Sequence, residues 1–182
     1  MEENSTSMIK IAITGPESTG KSWLSEQLAA HYKTVWVKEY AREYLAEKKT
    51  YQADDVVQIA VIQHQKELEK SNEAKQLLIC DTDMLVCKVW LEIVFNQTHE
   101  TIEELVKSNA YDFTLLCDID LPWQPDPLRE HPTRREEIFD RYLYWLQTLN
   151  QPFEVVNGKG EQRLECAINR IDAWLEKRKN QK

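Results

Sequence analysis

The sequence predicts an α/β fold in which a five-stranded parallel sheet lies between two layers of helices, a three-layer sandwich. Five short β-rich segments alternate with segments of helical periodicity along the 182 residues, and this alternation is typical of a parallel sheet covered on both faces. The segment Leu77–Asp81 is apolar until its final acid, as expected for a strand buried on both sides.

The first half of the chain supplies three of the strands. Residues 8–14 form a β-rich run that ends at a glycine, which is a turn signal. Apolar residues at helical spacing predict helices over 21–32 and 52–70. A second strand is expected over 34–38, between those helices, and the third over 77–81.

The second half supplies two more strands, at 113–117 and 153–156. We expect helices at about residues 83–95, at about 101–109 and over a closing segment, 161–178. Two capping-box patterns of a hydroxyl residue followed three positions later by Glu mark helix starts. These are Thr101 with Glu104 and Thr133 with Glu136.

Length, charge and composition favour one soluble domain covering residues 1–182. The net charge of −8 argues against nucleic acid as the main partner, because phosphate backbones select basic surfaces. No apolar run is long enough to cross a bilayer. Residues 1–7 are polar and acidic, so we interpret them as a disordered tail and expect a cytoplasmic protein with no membrane partner.

The cysteines and histidines do not predict a metal site held by the protein. Cys80, Cys87, Cys117 and Cys166 include no Cys-x-x-Cys pair, and the four histidines form no His-x-x-x-His pair. Cys80 and Cys117 lie in apolar strands, so we expect them to be buried, reduced thiols.

The strongest motif is the segment Gly15–Ser22, which matches G-x-x-x-x-G-K-[ST] at every fixed position between a strand and a helix. Its glycines let the backbone wrap a phosphate, and its N–H groups and the following helix N-terminus attract the anion. Lys21 is expected to reach the β- and γ-phosphates of ATP, and Ser22 to coordinate Mg²⁺. The expected nucleotide-binding residues are Gly15, Glu17, Ser18, Thr19, Gly20, Lys21, Ser22 and Trp23.

A carboxylate at the end of the third strand is expected on the metal side. Asp81 follows an apolar run, as in Walker-B strands whose acid holds the Mg²⁺ shell. Asp83 has two readings of equal weight, a site residue or the N-cap of the next helix.

A second acid is expected on the acceptor side. Glu39 follows the second strand, and ligands of open α/β sheets bind beyond the carboxyl ends of strands. Glu39 could orient or deprotonate an acceptor hydroxyl, with Arg42 nearby on substrate or phosphate. The alternative is a solvated Glu39–Arg42 pair at i,i+3.

Residues 121–141 are expected to form a lid. This segment contains four closely spaced prolines, so it cannot be one continuous helix. Its arginines would neutralise charge in phosphoryl transfer. Arg129 and Arg134 are the first candidates among Arg129, Arg134, Arg135 and Arg141, and the alternative is a surface of salt bridges.

Taken together, these residues resemble the ribosylnicotinamide kinase domain of the bacterial NadR family, a P-loop nucleoside kinase of AAA-like ATPase type. The similarity covers roughly residues 8–175. It is carried by Gly15–Ser22, Glu39–Tyr44, His64-Gln65, Asp81-Thr82-Asp83 and Leu128-Arg129.

This resemblance implies a P-loop kinase fold and ATP-dependent phosphorylation of nicotinamide riboside to nicotinamide mononucleotide. It assigns Glu39 and Arg42 to the riboside, Asp81 to the metal and residues 121–141 to the lid. Tyr40 and Asp83 are further candidate substrate-binding residues. Lys38 stands where an aromatic residue would stack on the pyridinium ring. Tyr40, Tyr51 and Trp90 are the candidate replacements, each with core or surface packing as its alternative.

Other functions compete with a nicotinamide riboside kinase. A kinase for another nucleoside or nucleotide is the first alternative, and a switch ATPase or a nucleotide sensor without turnover is the second. The switch reading is weakened because Thr82, rather than a catalytic glutamate, follows Asp81. The sequence leaves open whether Glu39 or Asp81 acts as the base, and it leaves open the oligomeric state, a homo-oligomer included.

Overall fold

The computed structural model describes residues 8–126, 129 and 131–180. The tail expected over 1–7 and three residues of the expected lid, at 127, 128 and 130, lie outside the described residues. In the part that the structure describes, no helix is both long enough and apolar enough to pass through a membrane.

The described residues form five strands and seven α-helices. The strands are β1 (Ile9–Thr14), β2 (Trp36–Val37), β3 (Leu77–Asp81), β4 (Phe113–Cys117) and β5 (Phe153–Val156). The helices are α1 (Lys21–His31), α2 (Tyr40–Leu45), α3 (Ala53–Ser71), α4 (Met84–Trp90), α5 (Glu100–Ser108), α6 (Arg135–Thr148) and α7 (Glu161–Asn180). A π-helical turn, Leu91–Phe95, continues α4.

The strands form one parallel sheet in the order β2-β3-β1-β4-β5. Ile13 pairs with Asp81, and Thr14 pairs with Leu116. The residues that follow β1, β3 and β4 therefore start from the same edge of the sheet, where ligands of such folds bind.

Alternate residues of the central strands pack into hydrophobic clusters on the two faces of the sheet. Ile11 and Ile13 of β1 pack with Leu24 and Leu28 of α1, whereas Ala12 belongs to a cluster on the other face. Helices α1 and α7 cover the first face. Because both faces are covered, the predicted three-layer sandwich with a five-stranded parallel sheet is confirmed.

The predicted bounds of β3, β4 and β5 are confirmed, but other boundaries differ. Strand β2 has two residues instead of the five predicted at 34–38, and α2 was not predicted at all. Both capping boxes are wrong. His99 caps α5 by accepting from the Thr101 N–H (3.2 Å), and Arg134 precedes α6 without a side-chain cap.

The helix predicted at about 83–95 is divided into α4 and the π-helical turn. Asn96 ends that turn with a φ of 50°. A π-helical turn inserts an extra residue and shifts the direction of the side chains that follow. The turn brings both Ile93 and Val94 to the wall of a cavity at the strand ends.

A buried carboxylate ties α3 to the opposite edge of the sheet, at the start of β1. Glu67 has no exposed surface. Lys10 lies 2.8 Å from its Oε2, Asn109 donates to Oε2 (2.8 Å), and the Tyr111 hydroxyl donates to Oε1 (2.7 Å). These partners satisfy the charge in a region with little water.

Replacing this carboxylate should destabilise the fold. We expect Glu67→Gln to lower the free energy of unfolding by about 3 kcal/mol, because Lys10 loses its counter-charge inside the protein. Urea unfolding would measure the change. Glu69→Gln, at an exposed position of the same helix, is the matched control, and an equal effect of both variants would contradict this assignment.

Candidate functional site

The loop between β1 and α1 has the conformation that its glycines permit. Gly15 has a φ of 132° and Gly20 a φ of 78°, values that residues with a side chain rarely adopt. A Cβ on Gly15 would lie 2.9 Å from the carbonyl oxygen of Cys117. This loop therefore passes too close to the end of β4 for any residue larger than glycine.

Two side chains of the loop donate hydrogen bonds to the loop itself. The Lys21 ammonium donates to the carbonyl oxygens of Gly15 (2.8 Å) and Pro16 (2.9 Å). The buried Thr19 hydroxyl also donates to the Pro16 carbonyl (2.8 Å). Lys21 is thereby held over the concave side of the loop, at the N-terminus of α1, where an anion would bind.

Asp81, at the end of β3, lies close to Ser22 of α1. Burial, together with the nearby Glu39 charge, raises the Asp81 pKa to about 6, and the neighbouring Ser22 side chain works in the opposite direction. The Oδ1 atom of Asp81 is buried and has no hydrogen-bond partner among the described residues. A hydroxyl beside a carboxylate with an unused oxygen is a donor set that suits Mg²⁺.

Asp83 is the N-cap of α4, which was one of its two predicted roles. Its Oδ1 accepts from the Val86 N–H (3.1 Å) as the N-cap of α4 and from the Thr14 hydroxyl (2.9 Å). Burial raises its pKa to about 6. The side chain thus ties the end of β1 to α4, and its assignment to substrate stays a prediction.

Glu39 and Arg42 lie on the wall of the cavity, at the start of α2. Arg42 forms an ion pair with Glu39 (3.3 Å) and a second one with Asp126 (3.0 Å). The i,i+3 pair given as the alternative therefore exists, but both residues also line the cavity, and the Arg42 side chain is 45% exposed. Two carboxylates around one guanidinium leave this side of the cavity with an excess of negative charge.

The cavity has a volume of about 410 Å³ and joins the phosphate loop to an apolar wall. One end is the loop from Gly15 to Trp23. The other end is formed by aliphatic and aromatic side chains of α4, the π-helical turn and α6, namely Val86, Val89, Trp90, Ile93, Val94, Ile138 and Tyr142. A polyphosphate end and an apolar end in one cavity suit a nucleotide together with a second, ring-containing molecule.

The three aromatic candidates do not lie together. Tyr51 and Trp90 line the cavity with their rings edge to face at 5.1 Å, and the Trp90 indole N–H donates to the Tyr51 hydroxyl (3.0 Å). Tyr40 lies instead in a separate groove beside β2, beneath the ammonium of Lys66. Trp23 lines the main cavity and is 41% exposed.

The described residues at 121–126, 129 and 131–134, here called the lid strap, cross above the phosphate loop. Arg129 lines the cavity and donates to the Gln124 carbonyl (2.7 Å) and weakly to the Ser18 hydroxyl (3.4 Å). Arg134 forms a two-pronged pair with Glu137 at 2.8 and 2.7 Å and is not part of the cavity wall among the described residues.

Arg135, at the first position of α6, is a second arginine that contacts the phosphate loop. It donates to the carbonyls of Leu121 (2.8 Å) and Ser18 (3.3 Å). Arg141 instead faces Glu92 at 3.7 Å. The structure thus brings Arg129 and Arg135 to the loop and leaves Arg134 and Arg141 in salt bridges.

Sequence reasoning missed the apolar wall apart from Trp90, and it missed Gln124, Asp126 and His131 of the lid strap, all of which line the cavity. The wall residues have the spacing of an ordinary amphipathic helix, so no signal separated them from core positions. Asp126 was detectable in principle as an acid between two prolines of the expected lid.

A family model described as an AAA domain matches residues 10–163. The trifunctional NAD biosynthesis/regulator proteins NadR of Salmonella typhimurium and Escherichia coli are each 27% identical over 124 residues. That match covers 65% of this chain and 30% of each relative, so the chain spans well under half the length of the curated relatives.

Solved structures share the fold. A NadR protein in complex with NR superposes with a TM-score of 0.78 at 20% identity, covering 90% of this chain and 50% of that one. A NadR protein in complex with NAD and AMP-PNP gives 0.72 at 20% identity, covering 89% and 48%. The thymidylate kinase of Ehrlichia chaffeensis gives 0.68 at 14% identity, covering 92% and 98%.

Proposed function

The chain belongs to the AAA domain family, whose model it matches from residue 10 to residue 163, and from this premise we propose that it is an ATP-dependent kinase. The acceptor is an alcohol, specifically the ribose hydroxyl of nicotinamide riboside, and the product is nicotinamide mononucleotide. The proposal concerns only this one activity, because the trifunctional relatives are much longer than the matched region.

One observation carries the proposal: the phosphate loop and Glu39 line the same cavity, and Asp81 lies beside Ser22 and Glu39. Lys21 and Ser22 end the loop on one side, and Glu39 faces them from the cavity wall. Asp81 makes contact with Ser22 and lies close enough to Glu39 for its pKa to be raised by that charge. Phosphoryl transfer needs such an arrangement, because its catalysis consists mostly of positioning and charge stabilisation.

Each of these residues would have its own role in the reaction. The loop amides and Lys21 hold the β- and γ-phosphates of ATP. Ser22 and Asp81 would hold Mg²⁺, which supplies charge neutralisation on the phosphate oxygens. Glu39 orients the acceptor hydroxyl and takes its proton as the new oxygen–phosphorus bond forms and the bond to the leaving ADP breaks. Arg129 donates to phosphate from the lid strap.

The charge of the acceptor end favours a nucleoside over a nucleotide. Arg42 is already paired with Glu39 and Asp126, so a phosphate on the acceptor would have to compete with two carboxylates for it. A cationic or neutral ring faces no such competition. Tyr51 and Trp90 both line the cavity and provide aromatic rings with which a base can pack.

Two further properties belong to this proposal. The kinase requires Mg²⁺, as nucleoside kinases with this loop do when a carboxylate follows the neighbouring strand. It acts in the cytoplasm, where ATP is supplied and where its cysteines stay reduced.

Acceptor-dependent release of ADP tests the proposal. With MgATP, nicotinamide riboside should raise ADP release at least ~10-fold above the rate with thymidine, deoxyadenosine or thymidine monophosphate at equal concentration. Preference for another nucleoside would keep the kinase and change its acceptor. A rate that no acceptor alters would contradict kinase activity and favour a switch ATPase or sensor.

A further inference from the structure

The lid strap is attached to the two central residues of the phosphate loop. The Glu17 carboxylate accepts a hydrogen bond from the backbone N–H of His131 (3.3 Å). The Ser18 hydroxyl accepts from the backbone N–H of Gln124 (2.9 Å) and donates to the Pro122 carbonyl (3.4 Å). The phosphate loop and the strap are therefore held together at positions that the motif G-x-x-x-x-G-K-[ST] leaves variable.

His131 has an unpaired polar atom at this junction. The residue lines the cavity, and its Nε2 is buried with no hydrogen-bond partner among the described residues. The Nε atoms of Arg129 and Arg135 have the same property. Buried polar groups in folded proteins are nearly always paired, so these nitrogens beside the phosphate loop are candidates to pair with a bound anion.

The position along the loop indicates which part of the anion they face. Lys21, which reaches the β- and γ-phosphates in such loops, lies against the carbonyls of Gly15 and Pro16. Glu17 directly follows Pro16, and its carboxylate accepts the hydrogen bond from the backbone N–H of His131. The strap thus covers the end of the loop where the terminal phosphate would lie.

We propose that His131 donates a hydrogen bond to the terminal phosphate of bound ATP, and that Glu17 positions it by holding its backbone. The inference rests on the ATP-binding part of the proposed function but not on the identity of the acceptor. His131 lies outside the motif, so neither its spacing from the loop nor its residue type marks it in the sequence.

Two variants of similar size separate contact from packing. His131→Phe keeps a ring and removes both nitrogens, whereas His131→Gln restores an N–H donor. We expect His131→Phe to weaken binding of magnesium AMP-PNP about tenfold, as loss of a hydrogen bond to a charged group does, and to change binding of magnesium ADP less than about twofold. His131→Gln should recover most of the AMP-PNP affinity. Isothermal titration calorimetry measures all of these values without an acceptor.

The positioning role of Glu17 has its own readout. Glu17→Ala should cause the same selective loss for AMP-PNP, and the double variant Glu17→Ala/His131→Phe should be no weaker than either single variant, because coupled residues are not additive. His31→Ala, at an exposed helix end, is the control and should bind both nucleotides as the wild type does. Unfolding midpoints would verify that each variant is folded.

Several results would overturn the inference. They are unchanged AMP-PNP binding by His131→Phe, equal losses for AMP-PNP and ADP, no recovery by His131→Gln, and additive losses in the double variant. Because binding is measured without turnover, a protein that binds AMP-PNP through His131 yet phosphorylates no alcohol would refute the proposed function alone.

Discussion

Lys21→Ala should lower kcat/KM for ATP by about 10²–10³-fold, the cost of removing one preorganised charge from the developing transition state. Among the described residues, the Lys21 ammonium donates only to carbonyls of its own loop, those of Gly15 and Pro16. The substitution therefore removes the cation that would face the phosphates while leaving the packing of the sheet intact. Steady-state kinetics with varied MgATP would measure the effect.

Lys107→Ala is the matched control for this prediction, since Lys107 is an exposed residue of α5. It should keep wild-type kinetics. A Lys21→Ala protein that is folded and still transfers phosphate within a few-fold of wild type would show that the loop does not hold the reacting phosphates.

Asp81→Asn should have opposite effects on activity and stability. The neutral amide cannot hold Mg²⁺ as a carboxylate does, so we expect kcat to fall by about 10²–10³-fold. In metal-free protein the Asp81 pKa is raised to about 6 by burial. Between about pH 4 and pH 6 the folded protein thus keeps a proton that the unfolded chain has released, so stability falls as pH rises through this window.

The stability change gives a measurement that is independent of catalysis. Above pH 6 the buried Asp81 charge costs about 3 kcal/mol, and Asp81→Asn removes that cost. With a chelator present, the free energy of unfolding of the Asp81→Asn protein should therefore exceed that of the wild type at pH 8 and approach it at pH 4. Asp140→Asn, at an exposed position of α6, should show neither effect. A less stable Asp81→Asn protein at pH 8 would contradict the assigned burial cost.

Strands and the phosphate loop were predictable because their signals are local. Short, largely apolar β-rich runs identified Leu77–Asp81, Phe113–Cys117 and Phe153–Val156 at their observed bounds. Helix α2 was missed because six residues, Tyr40–Leu45, are too few to show helical periodicity. The capping boxes were wrong because hydroxyl–glutamate spacing is common: α5 begins after His99, two residues before the predicted cap, and α6 begins after Arg134, one residue beyond it.

The arginines and the aromatic residues could not be sorted from sequence, since their roles depend on distant partners. Arg134 pairs with Glu137 one turn later, whereas Arg135 reaches back to Ser18 across 117 positions. Tyr51 and Trp90 meet at the cavity although 39 positions separate them. Only the fold decides which of these side chains face the site.

Mass spectrometry of the acceptor after incubation with MgATP tests the central claim most directly. Nicotinamide riboside should gain one phosphoryl group, with one ADP formed for each product molecule, and the gain should disappear in Lys21→Ala. If ADP accumulates while every nucleoside offered keeps its original mass, the cavity does not carry phosphate from ATP to an alcohol, and the account is wrong.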